Sequence, residues 1–358
     1  MKQVMTIVGA RPQFIKAAVV SRAIRATNGA LRETFVHTGQ HFDSNMSDVF
    51  FDQLAIPRPD VHLGIGGGSH GRNTGRMIEA LETAIIDHRP DGVLIYGDTD
   101  STLAAAIAAA KLHVPIAHVE AGLRSFNRRM PEEVNRVLAD HASTLLFTPT
   151  TTATTNLKNE GITGSMVHQV GDVMYDAAFY YRDRAREPSE RPTGDRFVLA
   201  TLHRAENTDD PVRLASIVNG LVELSRTMPV VLPVHPRTRK VLAQHQLDTG
   251  GIQLCDPVGY LEMVWLLTQC SIVVTDSGGL QKEAYFFGKR CVTTRDETEW
   301  VELVSLGWNT IVGADTRAIV AEVERALRLS DHRSSSDGST PFGRGDAGTR
   351  IVEILGAA

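Results

Sequence analysis

The sequence has little of what marks several large classes of protein. Only three of its 358 residues are cysteine. Cys255, Cys270 and Cys291 sit in or beside apolar runs and form no C-x-x-C pair, so neither a disulfide framework nor a zinc site is expected. A basic surplus is missing too: 37 lysines and arginines against 42 acids give a net charge of -5. The basic residues are scattered rather than run together, which leaves out the footprint of a nucleic-acid partner. No apolar run approaches the ~20 residues of a membrane span, and MKQVMTIVGARP reads as strand and turn rather than a leader. The expectation is a cytoplasmic chain with neither membrane nor nucleic acid as partner.

What is present suits an ordinary folded enzyme. Apolar residues make up 42% and charged residues 22%, and the length exceeds one typical core, which suggests two domains. Short β-branched runs, VMTIVG, TFVHTG, VLIYGD, PIAHVE, LLFTPT and VHQVG, alternate with segments of helical apolar spacing. After a charged, proline-containing linker from Arg186 to Asp195 the pattern restarts as RFVLATLH, PVVLPVH, GIQLCD, SIVVTDS and RCVTT. The fold class is therefore α/β, with two Rossmann-like domains facing a cleft. The expected division is 1–172 for the first and 190–343 for the second. After the polar stretch from Ser330 to Asp346, GTRIVEILGAA reads as a closing helix, with 344–358 crossing back to domain one.

Ligands of open α/β sheets sit beyond the carboxyl ends of the strands, so the residues just after each strand are the candidates. GARPQFIK offers Arg11 and Lys16 to an anion, with Pro12 opening a helix. YGDTDST holds Asp98 and Asp100, which match a D-x-D metal motif. The alternative is that Asp100 caps the following Ala-rich helix and Asp98 serves chemistry. In AHVEAGLRSFNRRMPEEVNR, Glu120 ends a strand, Arg124, Arg128 and Arg129 follow, and Glu132 and Glu133 open a helix after Pro131. Plain helix capping accounts for that Pro-Glu-Glu run, but Asp98, Glu120 and the Pro131 loop return to one edge. Carboxylates that converge there can divide acid and base work, each assisted proton transfer being worth roughly 10²- to 10⁴-fold.

In the second half, His203 and Arg204 end one strand, and His235 and Arg237 another. VVTDSGGLQKEA is a strand, then Ser277, Gly278 and Gly279, then a helix containing Glu283. Its glycines let backbone N–H groups approach a phosphate. The same letters surround a protease serine in all-β folds, but the strand-turn-helix setting favours phosphate. IGGGSHG, Gly66 to Gly71, matches G-x-G-x-x-G in letters, yet without an acidic strand end about 20 residues later it reads as a loop.

Taken in order, GARPQFIK, VHTGQH, YGDTDST, HVEAGLR, PEEVNR, HRAEN and DSGGLQKEA with RDETE resemble the non-hydrolysing UDP-N-acetylglucosamine 2-epimerases. The resemblance runs from about Thr6 to Glu299 and resumes in FGRGDAGTRIVEIL. It implies a GT-B-like fold, UDP held mainly by the second domain, elimination of UDP to a glycal and re-addition, a homodimer, and neither metal nor other cofactor. It puts catalytic carboxylates at Asp98, Glu120 and Glu132, a phosphate-contacting histidine at His203, and the ribose-binding glutamate at Glu283. Ser277, Gly278 and Gly279 would hold the diphosphate with Arg11, Lys16 and His235, and Tyr260 would lie beside the uracil. Three departures stand out. Trp300 replaces an arginine that many members carry. The loop FNRRMPEE is short and brings Arg128 and Arg129 forward as candidates for binding a sugar carboxylate. The second-substrate residues after Gln40 and His41, and an Arg-Gln pair, are not found, so activation by substrate is not expected. With HPRT and TEWVE these features resemble the branch acting on UDP-2,3-diacetamido-2,3-dideoxyglucuronate, whose product enters surface polysaccharide. A hydrolysing epimerase, a GT-B glycosyltransferase and an inactive sugar-nucleotide-binding protein are the rival readings.

Overall fold

The computed structural model describes residues 2–40, 51–52, 54–56, 58–329 and 340–358. His41 of the VHTGQH motif and 330–339 of the polar stretch lie outside them. The chain forms two compact units, Met1–Phe179 with Asp337–Ala358, and Tyr180–Ser336. The division falls inside the helix Val173–Arg182. The stretch read as a linker is bonded to the second unit, where Arg186 N donates to Leu261 O at 3.1 Å and Gln253 Nε2 to Arg191 O at 2.9 Å.

The first unit is built on seven parallel strands: β1 Gln3–Val8, β2 Arg32–His37, β3 Val61–His62, β4 Gly92–Tyr96, β5 Ile116–Val119, β6 Leu145–Thr148 and β7 Val167–Gln169. Their order is β3-β2-β1-β4-β5-β6-β7. The second unit has six: β8 Val198–Thr201, β9 Val230–Pro233, β10 Ile252–Cys255, β11 Ile272–Thr275, β12 Cys291–Thr293 and β13 Asn309–Ile311, in the order β10-β9-β8-β11-β12-β13. Both are doubly wound, and the order reverses between β1 and β4 in one and between β8 and β11 in the other. Such switch points open a crevice at the strands' carboxyl ends.

Alternation is weak in these strands because helices cover both faces, so they read as continuous apolar runs. Met5, Ile7, Val93 and Ile95 pack on Ala104, Ala105 and Ala108 of the helix Asp100–Lys111. Alanine on that face lets the helix lie close to the sheet. In the second unit Val198, Val230 and Val274 meet Leu214, Ile217 and Ile319. The three cysteines are buried, and burial pushes Cys255 up to about 11 and Cys270 and Cys291 up to about 12, which leaves inert thiols.

The closing helix Ala347–Ala357 returns to the first unit, as expected. Ile351 and Leu355 are buried, and a Cβ at Gly348 would stand 2.7 Å from Val19 Cγ1, so glycine permits the close approach to the helix Arg11–Arg25. The glycine-rich IGGGSHG stretch is a βα turn. It follows β3, with Ser69 as the cap residue of the helix His70–His88, and Asn73 bonds both the N–H and the C=O of Gly68 at 3.1 Å. No described helix is long and apolar enough to cross a membrane.

Candidate active site

In the first unit the predicted residues gather at the ends of β1, β4 and β5. Gln13, in the first turn of the helix Arg11–Arg25, accepts from Gly9 N at 2.8 Å and Ala10 N at 3.0 Å and donates to Tyr96 O at 2.8 Å. It thereby ties the β1 turn to the end of β4. Gly9 is required there, since a Cβ would stand 2.1 Å from both Ser101 Oγ and Thr38 Oγ1. Arg11 opens the helix half-buried, and Lys16, one turn further, is buried and ion-paired with Glu120.

Glu120 is held in the left-handed region, φ 72°, and is only 8% exposed. A non-glycine residue there costs about 1–3 kcal/mol and persists where surrounding structure over-determines it, commonly at functional sites. Asp98 pairs with Arg136, and its backbone carbonyl accepts from Asn135 Nδ2 at 3.0 Å. Between the two acids lies Gly97, φ 60°, whose missing Cβ would meet Lys16 Nζ at 3.0 Å and Glu120 Oε2 at 3.3 Å.

The helix Pro131–Ala142 presents Glu132 one turn before Arg136, on the face that grips Asp98. Its neighbour Glu133 has another task. Buried at 2%, Glu133 accepts from Ser125 N at 2.9 Å, Ser125 Oγ at 3.1 Å, Phe126 N at 3.0 Å and Arg136 at 3.2 Å. The loop it fastens leaves Phe126 exposed at φ 60° and leaves Arg128 and Arg129 exposed.

Asp100 does not cap the Ala-rich helix. Thr99 does, its hydroxyl accepting from Thr102 N, because the Asp100 carboxylate is taken by His70 Nδ1 at 2.8 Å and Asn135 Nδ2 at 3.2 Å. Both are tertiary partners that local spacing does not reveal. Among the described residues no group of three or more His, Cys, Asp or Glu side chains is placed to hold a metal ion.

In the second unit, β8 and β11 bring His203 beside the Ser277 turn. Asp276, fully buried, accepts from His203 N at 3.0 Å and Arg204 N at 2.9 Å and pairs with His203 Nδ1 at 3.2 Å. The His203 side chain is 51% exposed. Partial desolvation, with the charges of Arg204, His235 and Arg295, holds its pKa below the ordinary histidine value, while Asp276 opposes that shift. His235 caps the helix Pro236–Gln244, its Nδ1 accepting from Arg237 N at 3.2 Å.

Ser277 caps the helix Gly278–Phe286, accepting from Leu280 N at 3.4 Å. Strand, turn and helix thus present backbone N–H groups to an anion. A Cβ on Gly278 would stand 2.2 Å from Glu299 Oε1, whereas one on Gly279 would meet Ser277 Oγ at an ordinary 4.0 Å. Glu283 is buried in this helix, and Trp300 is 2% exposed with the Lys282 ammonium 3.9 Å over its ring. Tyr260 is only 3% exposed and packs edge-on against Tyr181 at 5.4 Å, inside the second unit.

Sequence reasoning missed Gln13, Arg136, Asp276 and the buried Arg295, which bonds Glu299 at 3.0 Å. Each lies within a quoted motif. The available signal was spacing: Glu132 and Arg136 at i, i+4, and Asp276 immediately before the phosphate turn.

With the geometry in place, comparison with known proteins is consistent across the chain. A family model described as UDP-N-acetylglucosamine 2-epimerase matches residues 22–356. A UDP-2,3-diacetamido-2,3-dideoxy-D-glucuronate 2-epimerase of Pseudomonas aeruginosa is 56% identical over 356 residues, covering 99% of each chain. The UDP-N-acetylglucosamine 2-epimerase of Escherichia coli is 33% identical over 374 residues, covering 99% of this chain and 98% of its own. The solved UDP-GlcNAc 2-epimerase of Methanocaldococcus jannaschii, in complex with UDP-GlcNAc and UDP, superposes at a TM-score of 0.91 with 39% identity, covering 100% of both chains.

Proposed function

The chain belongs to the UDP-N-acetylglucosamine 2-epimerase family, and from that premise we propose that it inverts carbon 2 of a UDP-linked N-acetylated amino sugar without hydrolysing it. The observation that carries this reading is the cluster of acids and cations around Gly97. Glu120 pairs with Lys16, Asp98 pairs with Arg136, and Glu132 lies on the same helix face as Arg136. A UDP-sugar sensor without chemistry needs none of these.

In the proposed reaction one carboxylate takes the proton from carbon 2, the electron pair forms the C1–C2 double bond, and the C1–O bond breaks with its electrons on UDP. A second carboxylate then delivers a proton to the opposite face of carbon 2, and UDP re-adds at carbon 1. No electron is gained or lost overall, so no redox cofactor is called for. The Ser277 turn, with His203, stabilises the departing diphosphate, which is where charge develops.

For the substrate, the reading favours UDP-2,3-diacetamido-2,3-dideoxyglucuronate. Its support is the higher identity to the Pseudomonas enzyme, 56% against 33% for the E. coli one, together with exposed Arg128 and Arg129 as partners for a uronate carboxylate. The same membership supports a homodimer acting in the cytoplasm.

Incubation with each UDP-sugar in deuterium oxide, followed by proton NMR at carbon 2, tests the reading. Deuterium at carbon 2 with both epimers present is expected, and none with either substrate would end it. Steady accumulation of free UDP would favour a hydrolysing epimerase or a transferase. In the same assay Arg128→Ala and Arg129→Ala are expected to slow the uronate far more than UDP-N-acetylglucosamine. Equal slowing removes the case for the uronate.

A further inference from the structure

One fully buried side chain touches all three elements that carry the acids, and nothing above assigns it a task. His118 lies in β5, two residues before Glu120, at 0% exposure. Its Nδ1 stands 2.7 Å from Asp140 Oδ1 and its Nε2 stands 2.7 Å from the carbonyl oxygen of Gly97. Asp140 belongs to the helix Pro131–Ala142, which carries Glu132. Gly97 immediately precedes Asp98.

Both partners of the ring are acceptors. A carbonyl oxygen cannot donate, and Asp140 is held as a carboxylate independently of His118, by the Arg124 guanidinium at 2.7 Å and the Gly122 N–H at 3.0 Å. A neutral ring carries one N–H and would leave one of the two short contacts as acceptor against acceptor. Two donating nitrogens, the pattern of an imidazolium, satisfy both contacts. Its charge is embedded in a buried row, since Asp140 also accepts from Arg124 at 2.7 Å and from Gly122 N at 3.0 Å. Arg124 in turn grips Glu160 through two bonds of 2.6 and 2.7 Å. A paired and hydrogen-bonded charge of this kind is tolerated in the interior.

We propose that His118 is a positioning residue, an imidazolium that locks the Asp98 turn and the Glu132 helix to the strand carrying Glu120. The proposal rests on the epimerase reading above. Gly97 is its point of action. Clamped by Nε2 at its carbonyl and by Val119 O at its N–H, 3.0 Å, Gly97 lies against the Lys16–Glu120 pair and fixes where Asp98 begins. A shift of this turn moves Asp98 relative to Glu120. Misplacement of about 1 Å costs on the order of 100-fold in rate.

The first experiment is on the native protein: ¹⁵N NMR of the His118 ring near neutral pH. Two protonated nitrogens are expected, and a neutral tautomer overturns the proposal. The second uses His118→Gln, which keeps one donor. Relative to sites counted by UDP titration, kcat is expected to fall about 100-fold, with KM and UDP affinity within about twofold. A larger share of turnovers is expected to end in released glycal and UDP, because the second protonation is mistimed. Loss of folded protein alone moves neither the kcat per UDP-binding site nor that partition. A kcat per site within threefold of the native value, or an unchanged partition, overturns the proposal even if the variant is less stable. Should the native protein place no deuterium at carbon 2, the epimerase reading fails, whatever the His118 ring shows.

Discussion

At the scale of single residues, His203 bears on the proposal that the Ser277 turn binds a diphosphate. Its ring is kept below the ordinary histidine value by partial desolvation and by neighbouring cations, so at neutral pH the free protein carries it neutral. A diphosphate beside the ring favours the imidazolium. Binding UDP is therefore expected to take up a proton. The affinity gain sets in as pH falls below the value of the bound ring and levels off below that of the free ring, which lies under 6.5. Calorimetric titration in buffers of different ionisation heat reads the proton directly. His203→Asn serves as the reference, because UDP's own phosphate titration is common to both. Equal proton uptake by the two proteins would remove His203 from the phosphate site.

At the scale of elements, the proposed mechanism divides the two glutamates of the helix Pro131–Ala142 between chemistry and architecture. Glu133 holds the N–H groups of Ser125 and Phe126 and the guanidinium of Arg136, while Glu132 is half-buried on the face toward Asp98. Hydrogen bonds to charged groups contribute about 1.5–3 kcal/mol each and do not add fully. Glu133→Ala is accordingly expected to lower stability by about 2–4 kcal/mol in urea unfolding. Glu132→Ala is expected to abolish carbon-2 exchange at nearly unchanged stability. The reverse pattern would exchange their roles. This division was not legible in PEEVNR, where both acids suit a helix N-terminus equally; only the loop folding back over Glu133 separates them.

The same limit governs the other elements. Long apolar runs such as VLIYGD and SIVVTDS announced their strands, and the polar residues that follow them stand at the ends of β4 and β11. Val61–His62 and Asn309–Ile311 are two and three residues long, too short for any periodicity, and they are strands only because β2 and β12 lie beside them. Asp100 was read as a cap on local preference, and His70 and Asn135 overrode that preference from other elements. Partners that meet only in the fold, Arg136 with Asp98 and Asp276 with His203, leave no pattern along the chain.

At the scale of the whole molecule, the first unit is closed by the other end of the chain, and one half-buried acid sits at that closure. Asp176, in the helix Val173–Arg182, accepts from Gly348 N at 2.9 Å at the start of the closing helix. Burial pushes it from 3.8 up to about 6, against the lowering effect of the backbone N–H groups of Gly348 and Ala347. A raised acid binds its proton more tightly in the folded state. Stability is therefore expected to fall as pH rises from about 4 through about 6, and to stay level above that. The shift corresponds to a cost on the order of 3 kcal/mol at neutral pH, an upper bound for a partly hydrated group. Asp176→Asn keeps an oxygen for Gly348 N and removes the charge. The variant is expected to be about 1–3 kcal/mol more stable than the native protein at pH 7.5 and no more stable at pH 4. Urea midpoints at the two pH values read the difference. The same gain at both would mean that the asparagine acts through packing, and that the contact of Asp176 with the closing helix carries no titrating charge.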